Sequence, residues 1–395
     1  LTLVGITGTN GKTTTSYLVD ALLRSQGLAT GIIGTIQYVL GDERRPAGQT
    51  TPDALELQAM LALMRAGGVR GVAMEVSSHA LELGRVAGIR FACRVFTNLT
   101  QDHLDFHSDM EDYFVAKRVL FFSSDEADAS SSGVAVVNAD DRYGQRLIDE
   151  LRGQHAAVVT FSAAGAGEAD FRATEVEFDA AGARFRCLAP DGEARVAMPL
   201  PGHFNVENAL AALACAAALG IGIERGTAAL SATRRVPGRF EPVEEGQPFT
   251  VLVDYAHTPD SLDNVLRAAR RITEGRLICV FGCGGDRDRE KRPLMGRIGA
   301  ELSDVCVVTS DNPRSEDPTA IIAEILAGMP KGATAEPDRR AAIGLALDAA
   351  RPGDTVVIAG KGHEQGQEFE GGRKIPFVDR QVAGEELRRL RAPSK

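Results

Sequence analysis

Residues 8–14 read Gly8-Thr9-Asn10-Gly11-Lys12-Thr13-Thr14, between a strand-like run at Leu1–Thr7 and a helix-like run at Lys12–Gln26. A glycine-bearing turn between strand and helix aims backbone N–H groups at phosphate oxygens, with the positive helix N-terminus behind them. In such a loop Lys12 reaches the β/γ-phosphates and a Thr13 or Thr14 hydroxyl ligates Mg²⁺. Gly8 through Thr14 are therefore the expected nucleotide contacts, with ATP or GTP as ligand. The spacing departs from the usual pattern at Ile6, where the first glycine belongs; Gly5 sits one residue early. A turn that merely caps a helix is the plainer alternative, but the flanking strand and helix are what the phosphate mechanism requires.

Outward from this loop, apolar runs of strand length alternate with helical patterns. Strands are expected at Gly71–Val76, Arg90–Asn98 and Gly133–Asn138, with a helix near Met110–Phe122. The alternation argues for a parallel sheet covered by helices. From Asp170 to Pro201 the rhythm changes to period two, at Ala183–Leu188 and Ala194–Met198 around Pro190-Asp191-Gly192, which predicts a small antiparallel β insertion before a helix at Val206–Leu219. Pro and Gly interrupt the pattern over Val236–Gln247. Beyond it, buried-strand runs at Thr250–Tyr255, Leu277–Gly282, Asp304–Thr309 and Asp354–Ala359 alternate again with helices. The expected fold is α/β: a P-loop parallel-sheet ATPase domain with a small β insertion over 1–238, then a Rossmann-like α/β domain over 239–395. The Ser/Ala-rich stretches Asp128–Gly133 and Ala163–Gly167 read as surface loops. Two such domains meeting at a hinge would leave a cleft, where ligands usually sit.

Composition narrows the ligand class. Among 395 residues, 44 Lys plus Arg against 54 Asp plus Glu give a net charge of −10, the wrong sign for a general polyanion binder, so nucleic acid is not an expected partner. A phosphate site must then be local and built largely from backbone. Six cysteines at 93, 187, 215, 279, 283 and 306 form no CxxC pair, as expected of free thiols in a reducing cytoplasm. The longest apolar stretch, Ala209–Ile223, is shorter than the ~20 residues that span a bilayer, so no membrane association is expected. The chain opens on Leu1, directly in a strand-like run, which reads as a chain whose N-terminal part is removed.

Two more segments fall where a parallel sheet returns beside the phosphate loop. Glu75, in Met74-Glu75-Val76-Ser77-Ser78-His79, would serve as a second-strand magnesium ligand; Ser77 and Ser78 would equally cap a helix. The second segment is Asn98-Leu99-Thr100-Gln101-Asp102-His103-Leu104-Asp105-Phe106-His107. His103 and His107 at i, i+4 would chelate zinc on one helix face, but zinc wants a third protein ligand and hard-cation chemistry dominates this site.

Together Gly8–Thr14, Glu75–His79 and Asn98–His103 resemble the Mur ligases of bacterial cell-wall synthesis, and more widely the folylpolyglutamate and cyanophycin synthetases. The resemblance implies a reaction in which ATP phosphorylates an acid and an amine attacks the acyl phosphate. Mg²⁺ is its cofactor and ATP a co-substrate. It also implies a carbamylated Lys117, in Tyr113-Phe114-Val115-Ala116-Lys117-Arg118, as a Mg²⁺ ligand with Thr13, Glu75 and His103. By sequence alone Lys117 is a helical lysine. Lys12, Lys117, His103 and Glu75 are the implied catalytic set.

Asp311-Asn312-Pro313-Arg314 is an Asn-Pro turn. It also resembles the signature of the family branch that joins meso-diaminopimelate to UDP-N-acetylmuramoyl-L-alanyl-D-glutamate. Arginine suits that task, because a guanidinium takes the distal carboxylate that distinguishes diaminopimelate from lysine. By the same resemblance Arg287 (in Gly284-Gly285-Asp286-Arg287-Asp288) and Gly360 and Glu364 (in Gly360-Lys361-Gly362-His363-Glu364) contact the amino acid. Asn205, Asn208 and His257 lie near adenine or ribose. Thr50, Thr51, Ser77 and Arg85 hold the UDP-muramoyl dipeptide. Leu83 departs from the polar residue expected near that dipeptide. By the resemblance, a domain that grips the uridine end is expected to be missing from this chain, and a monomer is expected. Two other readings stay open: another ligase of the superfamily, such as a polyglutamate type, and a P-loop NTPase module in which hydrolysis only drives conformational change.

Overall fold

The first strand, β1 (Thr2–Thr7), is buried from Leu3 onward, as a strand must be when helices cover both faces of its sheet. The computed structural model describes residues 1–122, 133–165, 167–330 and 333–391. Its contacts divide into two units, Leu1–Thr100 with His107–Arg234, and Gln101–Phe106 with Arg235–Lys395. The expected domains meet at 238/239.

In chain order the first unit runs β1, α1 (Lys12–Arg24), β2 (Thr30–Ile33), β3 (Gln37–Leu40), β4 (Glu43–Pro46), α2 (Ala54–Ala66), β5 (Gly71–Glu75), α3 (Ser78–Glu82), β6 (Cys93–Phe96) and α4 (Met110–Arg118). A 3-10 turn at Val119–Phe121 closes α4. Then come β7 (Val134–Asn138), α5 (Arg142–Gly153), β8 (Val158–Ser162), β9 (Phe171–Asp179), β10 (Gly182–Ala189), β11 (Gly192–Met198), α6 (His203–Ala218) and α7 (Ile223–Ser231). The strands form one sheet in the order β11-β10-β9-β8-β7-β6-β1-β5-β2-β3-β4. It is parallel from β2 through β5, β1, β6, β7 and β8 to β9, and antiparallel at both ends. The period-two segment forms the expected antiparallel element before α6. Its first strand adds in parallel to β8 (Phe161↔Phe171), so β9–β11 prolong the main sheet.

The Ala-rich α6 packs on α1, where small side chains allow close approach. One flank of the sheet buries Leu57, Met60, Val72, Met74, Phe96 and Phe114 in a continuous core. Of the expected loops, 128–132 lies outside the described residues, while Ala164 and Gly165 are exposed.

The second unit holds β12 (Glu241–Pro242), β13 (Thr250–Asp254), α8 (Pro259–Arg271), β14 (Leu277–Phe281), α9 (Lys291–Leu302), β15 (Val305–Val308), α10 (Pro318–Leu326), β16 (Thr334–Ala335), α11 (Arg339–Ala349), β17 (Thr355–Ala359), β18 (Gly366–Phe369), β19 (Arg373–Pro376) and α12 (Asp379–Arg391). Its sheet order is β12-β13-β17-β14-β15-β16, with only β12 antiparallel. β14 and β17 are buried at every position, and Val251, Val253, Ile278, Val280, Val356 and Ile358 build the core. The loops after β13, β17, β14 and β15 therefore leave from one edge, the carboxyl ends of parallel strands, where open α/β sheets take ligands. Among the described residues, no helix is long and apolar enough to cross a membrane.

Candidate active site

In the first unit the phosphate loop is held from behind by the segment after β6. Thr9 N donates to Asn98 O at 2.9 Å and Asn10 N to Asn98 Oδ1 at 2.8 Å. Thr97 Oγ1 donates to Asn10 O at 2.7 Å, and Thr100 N to Thr9 Oγ1 at 3.0 Å. Two glycines permit this closeness. Gly8 has φ +146° and Gly11 φ +86°, where side chains are disfavoured. A Cβ on Gly8 would meet Thr97 Oγ1 at 1.9 Å, and one on Gly11 would meet Asn208 Oδ1 at 2.3 Å. Lys12 Nζ curls over the loop to the carbonyls of Gly8 and Thr9, both at 2.8 Å.

Beside the loop, Glu75 ends β5 almost wholly buried. Its Oε2 accepts from Thr13 Oγ1 at 3.0 Å and Thr35 Oγ1 at 2.9 Å, and its Oε1 from Thr35 N at 2.9 Å. A buried carboxylate with two hydroxyls is a hard-oxygen donor set that suits Mg²⁺ rather than a soft metal. Thr50 Oγ1 lies 3.1 Å from Thr35 Oγ1. Thr51 Oγ1 donates to Glu75 O at 2.9 Å and receives Ser77 N at 3.1 Å. Ser77 caps α3 through Ala80 N. Arg85 reaches Thr51 O at 3.1 Å, Asp53 at 3.1 Å and Gln49. Thr50, Thr51, Ser77 and Arg85 thus converge beside Glu75, while Leu83 ends α3 exposed.

Lys117, on α4, is enclosed and places Nζ 3.0 Å from Gly8 O and over the Tyr113 ring at 4.5 Å. The Tyr113 hydroxyl lies 3.2 Å from Thr9 Oγ1, and its other neighbour is the stacked ring of His107 at 4.9 Å. Burial pushes the His107 imidazole below its usual range.

The helical His103/His107 pair is corrected. Residues 101–109 form turns and bends, and α4 starts only at Met110 behind the Asp109 cap. His103 takes φ +56° and turns Nε2 to Asp102 Oδ2 at 3.3 Å. It belongs to the second unit by contact, and His107 to the first. Asp side chains here bond nearby backbone, which competes with helix: His103 N to Asp102 Oδ1 at 2.9 Å, Asp112 N to Asp109 Oδ1 at 2.8 Å. Among the described residues, no group of three or more His, Cys, Asp or Glu is placed to hold a metal.

Asn205 and Asn208, on α6, are buried against the same loop. Asn208 Oδ1 accepts from Thr15 Oγ1 at 3.3 Å and its amide donates to Asn205 Oδ1 at 3.2 Å. His257 is in the second unit, with Nδ1 2.8 Å from Tyr255 O; burial holds its pKa low.

At the carboxyl edge of the second sheet, three loops interlock. Asn312 Nδ2 donates to Glu364 Oε2 at 2.8 Å. Arg314, at φ +50°, reaches Gly285 O at 2.7 Å and Glu368 Oε2 at 3.3 Å. A Cβ on Gly284 would lie 3.0 Å from Arg314 Nη1 and 3.8 Å from Arg287 Cγ, so the two arginines flank one glycine. Gly285 N donates to Asn312 O at 2.9 Å, and a Cβ there would strike Pro313 O at 1.9 Å. Gly360, at φ +114°, leaves room for Asp311 Oδ2, 2.6 Å from where its Cβ would stand. That oxygen is buried with no hydrogen-bond partner among the described residues.

Sequence reasoning missed several members of these sites. Thr35 orients Glu75; Lys361 bridges Asn312 and Glu364; Gln367 and Glu368 of β18 clasp Asp311 O and Asn312 Oδ1 at 2.8 and 3.0 Å. Arg292, fully buried, holds Glu316 and Glu324 at 2.7 and 2.8 Å and so braces the loop at Gly284–Asp286. For Lys361 a signal was present, since it stands inside the Gly360–Glu364 motif.

The chain matches the Mur ligase middle domain over residues 6–216 and the Mur ligase, glutamate ligase domain over residues 238–362. It is 50% identical over 394 residues to a UDP-N-acetylmuramoyl-L-alanyl-D-glutamate–2,6-diaminopimelate ligase of Streptomyces coelicolor, covering 98% of this chain and 76% of that protein. A relative of the same name from Gloeobacter violaceus is 52% identical over 395 residues, 99% of this chain and 78% of its own. A solved structure of a ligase of that name is 36% identical with a TM-score of 0.67, over 99% of this chain and 79% of its own. Mycobacterium tuberculosis folylpolyglutamate synthase, solved with ADP and AMPPCP, shares the fold at 20% identity and a TM-score of 0.70, over 100% of this chain and 91% of its own.

Proposed function

The chain belongs to the Mur ligase family, and from that premise we infer that it is an ATP-dependent acid–amino-acid ligase of peptidoglycan synthesis. It joins an amine of meso-diaminopimelate to the D-glutamate carboxylate of UDP-N-acetylmuramoyl-L-alanyl-D-glutamate. The carboxylate takes the γ-phosphoryl group of ATP and releases ADP. The amine then adds to the acyl carbon, and phosphate leaves as the amide forms.

The observation that carries the choice of amino acid is the pair of arginines at Gly284. Arg314 and Arg287 offer guanidinium groups to the carboxylate that lysine lacks, while Glu364 and the unpartnered Asp311 Oδ2 suit an ammonium group.

The nucleotide half rests on the phosphate loop. Its amides, Lys12 and the α1 N-terminus take the triphosphate, and Asn205 and Asn208, beside the same loop, take the nucleoside side, a role the resemblance also gives His257. Thr13 and Glu75 would hold Mg²⁺, which when bound neutralises charge on the phosphates and the incoming carboxylate. Thr50, Thr51, Ser77 and Arg85 hold the muramoyl dipeptide. Carbamylation of Lys117 by CO₂ would exchange a cation for an anion next to Gly8, an oxygen donor that could hold Mg²⁺; the resemblance gives His103 the same role. Lys117→Ala is expected to lose activity that bicarbonate does not restore, and parent-level turnover in that variant would overturn the assignment. The protein acts as a monomer in the cytoplasm, a state that light scattering would check.

The test is phosphate release from Mg-ATP with the UDP-muramoyl dipeptide present, comparing meso-diaminopimelate, L-lysine and no amino acid. Release with diaminopimelate alone supports the reading. Release with lysine, or indifferent to the amino acid, overturns it in favour of another ligase or an NTPase module.

A further inference from the structure

Lys361, between Gly360 and Glu364, has no part in the reaction above, yet its side chain is fully enclosed. Its Nζ donates to Asn312 Oδ1 at 2.8 Å and to Glu364 Oε2 at 2.7 Å. These two acceptors leave the sheet from β15 and β17, which are not neighbours; β14 lies between them. Farther along, a parallel bridge of Arg314 with Phe369 and the bond from Arg314 N to Glu368 O at 3.0 Å tie the two segments through backbone, while Asn312 and Glu364 themselves are joined through side chains.

Around Glu364 the hydrogen bonds are unevenly shared. Oε2 receives both Lys361 Nζ and Asn312 Nδ2. Oε1 makes no hydrogen bond among the described residues, and the side chain is 30% exposed. Asn312 Oδ1 is likewise engaged twice, by Lys361 Nζ and by Glu368 N at 3.0 Å. The three side chains form a closed triangle, and within it Glu364 Oε1 is the carboxylate oxygen left without a donor among the described residues. A buried ammonium makes charge-assisted bonds of about twice ordinary strength. Its removal would leave the Glu364 carboxylate held by one neutral donor, Asn312 Nδ2.

We propose that Lys361 is a positioning residue of the amino-acid site, whose ammonium clamps Asn312 to Glu364 so that Oε1 faces the ammonium group of the incoming amino acid. This rests on the reading of the chain as a diaminopimelate ligase. Lys361 touches no reacting atom; it acts through Glu364.

The experiment measures KM for meso-diaminopimelate, Mg-ATP and the UDP-muramoyl dipeptide in the parent, K361M, E364Q and the double variant. K361M is expected to raise the diaminopimelate KM by about 10- to 100-fold, the loss of a charged hydrogen bond, with the other two KM values within about threefold. Because both residues act as one unit, the double variant should be little worse than the worse single one. K361A with ethylammonium added should regain part of the diaminopimelate affinity, and with tetramethylammonium, which has no N–H, should not. Should K361M fail to melt cooperatively, K361Q, which keeps a donor, is measured in its place and is expected to show a smaller rise of the same kind. An unchanged diaminopimelate KM in a folded variant, equal rises in all three KM values, or additive effects would overturn the clamp. A parent that shows no diaminopimelate-dependent turnover would instead refute the functional reading itself.

Discussion

Thr13 and Glu75 are 62 positions apart in the chain, yet the Thr13 hydroxyl donates to Glu75 Oε2 at 3.0 Å. The register that pairs Ile6 with Glu75 across β1 and β5 brings the carboxylate level with the phosphate loop. Glu75→Gln keeps the shape but removes the negative charge that would face a cation. Turnover is expected to fall by about 100-fold or more, with a raised Mg²⁺ requirement. Thr35→Ala, which only frees Glu75 to rotate, should cost about 10- to 100-fold. Magnesium titrations of both variants check the pair.

Arg314→Ala removes one of the two guanidinium groups at Gly284. The diaminopimelate KM is expected to rise about 10- to 100-fold, while the ratio of kcat/KM for diaminopimelate over lysine collapses. If the variant kept the parent's full preference, the role given to Arg314 would be wrong.

Arg339 and Asp379 are both fully enclosed, joined at 2.8 and 2.7 Å. The guanidinium also reaches Ser310 O at 3.3 Å and Ala359 O at 2.9 Å, one residue before each of two site loops. Asp379→Ala strands an uncompensated buried cation and is expected to destabilise by about 3–5 kcal/mol. The exposed pair Arg184–Asp179 should be nearly silent when Arg184 is replaced by Ala. Urea denaturation of the two variants separates these cases.

Acid should loosen the second unit through Glu316. The buried Arg292 guanidinium beside it holds its carboxyl at about 2, below the ordinary range. A carboxyl depressed in the folded state contributes its stability above the unfolded value of about 4.3, and that contribution is lost as pH falls toward 2. The urea midpoint is expected to drop between these values. In Glu316→Gln it should start lower at neutral pH and show less of that drop.

The phosphate loop could be read directly because its elements are contiguous: strand, turn and helix follow within a few residues, and steric demand alone requires glycine at 8 and 11. The strands of the second unit were similarly plain, since buried parallel strands are unbroken apolar runs. The helix expected near Met110–Phe122 is there as α4, but that His103 and His107 share no helix face could not be read, because spacing says nothing about whether Asp102 and Asp109 will bond backbone instead. Thr35, Lys361 and Glu368 were passed over as an isolated threonine, a lysine and a glutamate, residue types that are mostly exposed.

By itself the sequence determined which local pieces form: a glycine-bearing turn between strand and helix, apolar strands, arginines in turns that resemble a diaminopimelate signature. Those properties depend on neighbours a few bonds away. The tertiary structure alone decided which carboxylate meets Thr13, which cation is enclosed with Glu364, and that β9–β11 extend the main sheet. Such pairings are set by strand order and register, and a buried charge finds its partner only after the whole sheet has excluded water around it.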